Sequence, residues 1–176
     1  MQHVWATAVE TVGTFIRQAL KSSQGERDWL RFFALMSGVL AHIENTPKVP
    51  GIPDNIDDIR KEVRQYAQSL DVRSRLQTYG SALQQLDTAP PNAHYFLMVL
   101  DAANKTIKIT GYPSKLLDRA SQDYLEIEEK IRGDNKDAVL VSVESVAALR
   151  AAYPNYFLDT NKFAGYVTRV VGDEYI

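Results

Sequence analysis

The residue types that most often perform chemistry are few in this sequence and stand far apart. Its histidines are His3, His42 and His94, and no His-x-x-x-His or Glu-x-x-His pair occurs among them. Their spacing therefore predicts no histidine metal site. The chain has no cysteine, which excludes disulfides, thiolate zinc ligands and cysteine nucleophiles together.

Motifs for nucleophilic catalysis and for phosphate binding are also missing. The sequence contains no Gly-x-Ser-x-Gly elbow, the turn that exposes a serine nucleophile. It contains neither Gly-x-x-x-x-Gly-Lys-Ser/Thr nor Gly-x-Gly-x-x-Gly, the loops that cradle phosphates. We interpret the carboxylates at 57–58 and 126–129 as solvated helix faces, with metal binding as the alternative. Tyr153, Tyr156 and Phe157 cluster around Pro154, where core packing is the expected role and base stacking the alternative.

Length, composition and charge limit the class of protein. The 176 residues include 45% hydrophobic and 24% charged residues, which is typical of one globular domain or two small ones and excludes a disordered chain. No apolar run approaches about 20 residues and no secretory leader is visible, so we expect a cytoplasmic protein without a membrane partner. The net charge is −2, and neither half has the basic excess that nucleic-acid binding requires, so no nucleic-acid partner is expected.

Residues 1–91 have the periodicity of helices. Trp5, Val9 and Val12 begin an apolar stripe with spacings of three and four residues, and a second stripe follows from Trp29. Prolines and a glycine between 47 and 53 predict a rigid connector. Asp54 or Asn55 is positioned to cap a third helix, and a fourth follows it to the stop predicted at Pro90-Pro91.

After residue 91 the period changes. Residues 94–100 form an aromatic and aliphatic run, and residues 106–112 alternate with period two, which together predict a β-hairpin. A helix, a third strand over 138–143, a helix capped by Ser145 and a last helix capped by Asp159 or Thr160 follow. The sequence thus predicts an α+β protein, with about four helices in a domain over 1–91 and a β-β-α-β-α-α module with a three-stranded sheet over 92–176.

Two segments resemble a known family. Residues 2–13 read QHVWATAVETVG, and residues 151–160 read AAYPNYFLDT. The first resembles the helix that follows the Glu-x-Gln-x-Arg-Thr motif in RelA/SpoT-type alarmone synthetases, and the second resembles the tails of the same proteins. Residues 20–25, 29–36 and 137–143 also resemble the same proteins, and the resemblance is vague between about 44 and 92.

The resemblance implies a function for a longer parent protein. Members of the family are GTP pyrophosphokinases, which transfer pyrophosphate from ATP to GDP or GTP with Mg²⁺ and so make (p)ppGpp in the stringent response. Their Mg²⁺ acid and phosphate-binding cations lie on upstream strands and loops, and their catalytic glutamate is the Glu of the motif that Gln2 would follow. We therefore expect this chain to be the C-terminal part of such a synthetase, inactive alone, with no catalytic residue and no metal or other cofactor of its own.

Few site residues carry over from the family. His3 falls beside the nucleotide pocket in the resemblance, and Glu10 falls near a position that borders the guanine site. Helix packing is the alternative role for both. Because the synthetase sheet would normally cover Trp5, Val9 and Val12, we expect an exposed apolar stripe that either repacks or mediates self-association. A non-enzymatic regulatory module that binds a protein or a nucleotide is the alternative function.

Overall fold

The structure combines helices with a small sheet. It is a computed structural model that describes residues 1–19, 23–86, 92–134 and 136–172, with the side chains of 14–26 and of Tyr156 outside that description. Within those ranges, seven α-helices accompany one three-stranded antiparallel sheet. The predicted α+β class is confirmed. No described helix is long and apolar enough to cross a membrane.

The elements follow the predicted order. Four helices come first: α1 (Gln2–Ala19), α2 (Ser23–Ile43), α3 (Ile56–Ser69) and α4 (Val72–Gln85). The second half contains β1 (Tyr95–Asp101), β2 (Thr106–Tyr112), α5 (Leu117–Lys130), β3 (Lys136–Ser142), α6 (Val143–Ala152) and α7 (Tyr156–Val171). A single 3₁₀ turn over Ser114–Leu116 precedes α5. The predicted helix stop at Pro90-Pro91 lies outside the described residues.

The sheet separates two apolar layers. Its strand order is β2-β1-β3, and both pairings are antiparallel. Because side chains alternate along a strand, β1 directs Phe96, Met98 and Leu100 into the main core and Leu97 into a smaller one. In the smaller cluster Leu97 packs with Ala120 and Tyr124 of α5. Helix α5 therefore covers one face of the sheet, and α1 and α4 pack against the opposite face.

The main core is built around the last helix. Helix α7 packs against α1, α3 and α4, and α1 in turn packs against β3. Phe163 of α7 is fully buried, with its ring 5.9 Å from that of Phe33 and 6.5 Å from that of Phe32. The first and last helices of the chain are thus neighbours. Apolar residues from both 1–91 and 92–176 share this cluster, and the division into two domains at residue 91 stays a prediction.

The predicted N-cap residue is correct for one helix and wrong for two. Asn55 caps α3, because its side chain accepts a hydrogen bond of 2.7 Å from the backbone N–H of Asp57. Ser142 rather than Ser145 caps α6, since the Ser142 hydroxyl accepts from the Ser145 backbone N–H at 3.1 Å. Helix α7 begins at Tyr156, so Asp159 and Thr160 lie inside its first turns and cap nothing.

The prediction of an exposed stripe on α1 is wrong. Val12 is 1% exposed, and Trp5 and Val9 are half-buried against the main core. The indole N–H of Trp5 donates to the carbonyl of Phe33 at 3.1 Å. The chain's own strand β3 and helix α7 supply the apolar surface that we expected to be missing. Repacking is therefore the alternative that the structure has, and self-association through these residues stays a prediction.

We expect the buried tyrosine of the smaller core to make stability sensitive to alkaline pH. Burial and the Glu128 carboxylate raise the pKa of Tyr124 to about 12, from an ordinary value of 10.0. A raised pKa in the folded state means that the stabilisation is complete below pH 10 and is lost as pH rises towards 12. Urea unfolding across this range should show the loss, and Tyr124→Phe should make it smaller. An identical pH dependence in both proteins would contradict the prediction.

Candidate functional site

Helix α1 carries both residues that the resemblance places near a nucleotide. His3 and Glu10 are seven residues apart, so they share one side of the helix about 10 Å apart along its axis. His3 lies in the first turn, and its side chain is 64% exposed. Glu10 is half-buried. The helix therefore presents the two residues along one side, two turns apart.

The buried carboxylate of Asp159 lies beside the imidazole of His3. The Nε2 atom of His3 lies 3.2 Å from Oδ2 of Asp159, whose side chain is 6% exposed. Lys162, one turn further along α7, places its Nζ 3.9 Å from the other carboxylate oxygen. The ring of Tyr153 lies 6.1 Å from the imidazole. A charged imidazole at this distance would be attracted to the carboxylate.

The Asp159 carboxylate is only partly satisfied. Although His3 is close enough for an ion pair, Oδ2 accepts no aligned hydrogen bond from the described residues. A buried acceptor without a donor costs about 1–3 kcal/mol. A rotation of the imidazole that aligned its N–H with Oδ2 would recover part of that free energy. The pair is therefore an adjustable contact at the surface end of α1.

Contacts between α1 and α7 join the two segments that carry the resemblance. His3 lies near Tyr153 and Asp159, and further along the helix the buried hydroxyls of Thr11 and Thr160 are 3.3 Å apart. These contacts connect residues 2–13 with residues 151–160 across the length of the chain. Sequence reasoning identified both segments but missed their contact, because nothing in the local pattern of either one indicates a partner so distant in the chain.

A second cluster of ionisable groups links α4 to the sheet. Asp137 of β3 accepts hydrogen bonds from the guanidinium of Arg75 at 3.1 Å and from the hydroxyl of Tyr79 at 2.9 Å. Burial and the Asp137 carboxylate raise the pKa of Tyr79, which keeps its hydroxyl a donor. Both carboxylate oxygens are thus engaged, and we interpret this cluster as a structural link rather than a reactive site.

The other two histidines lie in different parts of the fold from His3. His42 is exposed near the end of α2, where it lines a cavity of about 220 Å³ against the proline-containing connector. His94 precedes β1, and its backbone bonds to Tyr112 and Val143. No group of three or more His, Asp or Glu side chains within the described ranges could hold a metal ion. These residues therefore do not fit the Mg²⁺ site that the resembled family requires, and no step of the proposed function is assigned to a metal on them.

The aromatic cluster is divided between surface and core. Tyr153 is half-buried beside His3, and the Tyr156 side chain lies outside the described residues. Phe157 packs against α4, where a Cβ on Gly80 would lie 3.5 Å from its ring.

The carboxylates of Asp57 and Asp58 are exposed in the first turn of α3, where negative charge complements the helix dipole.

Comparison with known proteins does not assign the chain to a family. The chain matches no protein-family model, and no curated protein is significantly similar to it. The resemblance to alarmone synthetases depends on the motifs quoted above, and membership of that family stays a prediction.

We expect a weak attraction between His3 and Asp159. A double-mutant cycle with His3→Gln and Asp159→Asn should give a coupling of about 0.5 kcal/mol, because an exposed partner limits the energy of an ion pair. Urea unfolding of the four proteins measures it.

Lys162 supplies the matched comparison. A cycle with Lys162→Gln and Asp159→Asn should give a coupling no larger than that of His3, because Lys162 Nζ lies 3.9 Å from the carboxylate and His3 Nε2 lies 3.2 Å from it. A His3–Asp159 coupling of zero would contradict the interpretation of the two residues as an interacting pair.

Proposed function

We propose that this chain is the C-terminal part of a RelA/SpoT-like (p)ppGpp synthetase, and that the His3 end of α1 borders the nucleotide site of the intact protein. The intact protein would transfer pyrophosphate from ATP to GDP or GTP. The observation that carries the proposal is the contact between the two family-like segments through His3, Asp159, Thr11 and Thr160. Two segments that resemble one family at distant places in the sequence pack together as one unit, which supports a common origin for both.

The chemistry of α1 is compatible with a guanine nucleotide lying along it. A protonated His3, oriented by Asp159, would donate a charge-assisted hydrogen bond to a phosphate oxygen. The first turn of a helix also favours negative charge. Glu10, two turns further on, has a carboxylate of the kind that accepts from the N–H groups of a guanine edge. The catalytic glutamate and the phosphate-binding cations would come from residues that precede Gln2.

The reading frame upstream of Met1 provides the first test. We expect a Glu-x-Gln-x-Arg-Thr motif in frame upstream of Met1, and we expect the extended protein to form ppGpp from ATP and GDP with Mg²⁺. His3→Ala should lower kcat/KM of that protein by roughly tenfold to a hundredfold, because a charged hydrogen bond to the substrate is lost.

His42→Ala is the control, since His42 is also exposed but lies near the end of α2. Loss of activity in that variant would indicate a general effect of removing a surface histidine. The absence of both the motif and the synthetase activity would contradict the proposal.

Nucleotide titration of the present chain separates the proposal from a regulatory module. If the other wall of the site comes from upstream residues, isothermal titration with GDP, GTP, ATP and ppGpp in the presence of Mg²⁺ should show no binding tighter than about 100 μM, or about −5.5 kcal/mol. Tighter binding that survives His3→Ala would instead support a nucleotide-binding regulatory module with a site elsewhere.

A further inference from the structure

A groove with a volume of about 280 Å³ lies between α4, the β1–β2 turn and α7. It contains none of the residues assigned to the proposed function. Its walls expose both apolar and polar surface, and the polar side chains among them belong to Ser74, Gln77, Thr78, Ser81, Lys105 and Asn161, with Ala102 and Ile107 completing them. The volume lies near the lower end of the usual range for ligand sites, about 300–1,000 Å³, so a small ligand would fill it.

One side of α4 is polar where it faces this groove. Ser74, Gln77, Thr78 and Ser81 follow the i, i+3, i+4, i+7 spacing of a single helix face. Thr78 is buried and the other three are half-buried, yet none of their side chains makes a hydrogen bond within the described part of the chain. None of their polar atoms is among the fully buried side-chain atoms that lack a partner, so these atoms stay open to the solvent of the groove. The stripe therefore leaves several donors for a ligand or for ordered water.

The wall opposite α4 is held in place. Asp101 accepts hydrogen bonds of 2.9 Å from both the backbone N–H and the side-chain amide of Asn104. These bonds fix the turn that carries Lys105, whose φ of 54° places it in the left-handed region. On α7, the Asn161 side chain donates to the carbonyl of Phe157 at 2.9 Å, which fixes the orientation of its amide. The groove thus requires little ordering when a ligand enters.

The charge of the lining selects the ligand class. Lys105 contributes an ammonium group, and no carboxylate lines the groove among the residues that the structure describes. The nearby Asp101 carboxylate is occupied by Asn104 and lies 3.8 Å from Lys136 Nζ. An ammonium beside serine and threonine hydroxyls is an arrangement that complements an oxyanion, because every one of these groups can donate.

We propose that this groove binds a small oxyanion, either a phosphate group or a carboxylate of a small metabolite. The oxyanion lies between the Lys105 ammonium and the hydroxyls of α4. Asn161 can accept a hydrogen bond from the remainder of the ligand through its side-chain oxygen. Binding at this place is independent of a nucleotide at His3, so the two proposals succeed or fail separately.

Titration of the full chain followed by amide chemical shifts tests the groove. The probes are inorganic phosphate, glycerol 3-phosphate, succinate and glycerol, each added at constant ionic strength. We expect saturable shifts from at least one anionic probe, confined to residues 74–81, 102–107 and the neighbourhood of Asn161. The phosphates and succinate distinguish the two sources of oxyanion, and glycerol is the neutral comparison.

Two lysine variants complete the experiment. Lys105→Gln should weaken binding by about tenfold, whereas Lys108→Gln removes the same charge from an exposed position on β2 outside the groove and should leave the affinity unchanged. Thr78→Val, which removes a hydroxyl but keeps the shape, should also weaken binding. The proposal is overturned if no anion gives saturable shifts there, if glycerol alone does, or if the two lysine variants bind equally well.

Discussion

The packing of α7 across α1 is the constraint on which the rest of the structure depends. A three-stranded sheet exposes two apolar faces, and α5 covers only one of them. The other face is closed by α1 against β3, and α1 is held in turn by α7, whose Phe163 is fully buried among the rings of α2. The last helix thus completes a core that the first three helices begin. Removing it would expose the apolar face of α1 that we expected to find uncovered.

Polar contacts inside this packing fix the relative positions of the helices. The hydroxyls of Thr11 and Thr160 are in contact within the apolar packing of α1 against α7. Asp137 of β3 accepts hydrogen bonds from Arg75 and Tyr79 of α4. A buried polar group that loses its partner costs about 1–3 kcal/mol. These contacts therefore select one arrangement of α1, α4 and α7, and the His3 and oxyanion sites both depend on that arrangement.

Local patterns predicted the elements, and long-range contacts could not be predicted. The alternation from Thr106 to Tyr112 gave β2 its observed bounds, and Asn55 caps α3 as one of the two expected residues. Asp159 was misjudged as a cap because an acidic residue near a helix start has that role in isolation. Its actual environment depends on α1, about 150 residues away in the chain. The motif resemblance selected His3 and Glu10, but no sequence signal paired His3 with Asp159 or placed Lys105 opposite the polar face of α4.

One helix connects the two candidate sites. Asp159 and Asn161 are two residues apart on α7, so they project about 200° apart, one towards His3 and the other towards the groove. Communication between the sites would require α7 to move as a body, since neither side chain touches the other's surroundings directly. Phe163 opposes such a movement, because a shift of α7 would open voids in a closely packed core. Coupling between sites requires a structural element with two arrangements. The packing of α7 against its neighbouring helices favours a single arrangement of α7. Occupation of the groove is therefore expected to leave the His3–Asp159 contact unchanged.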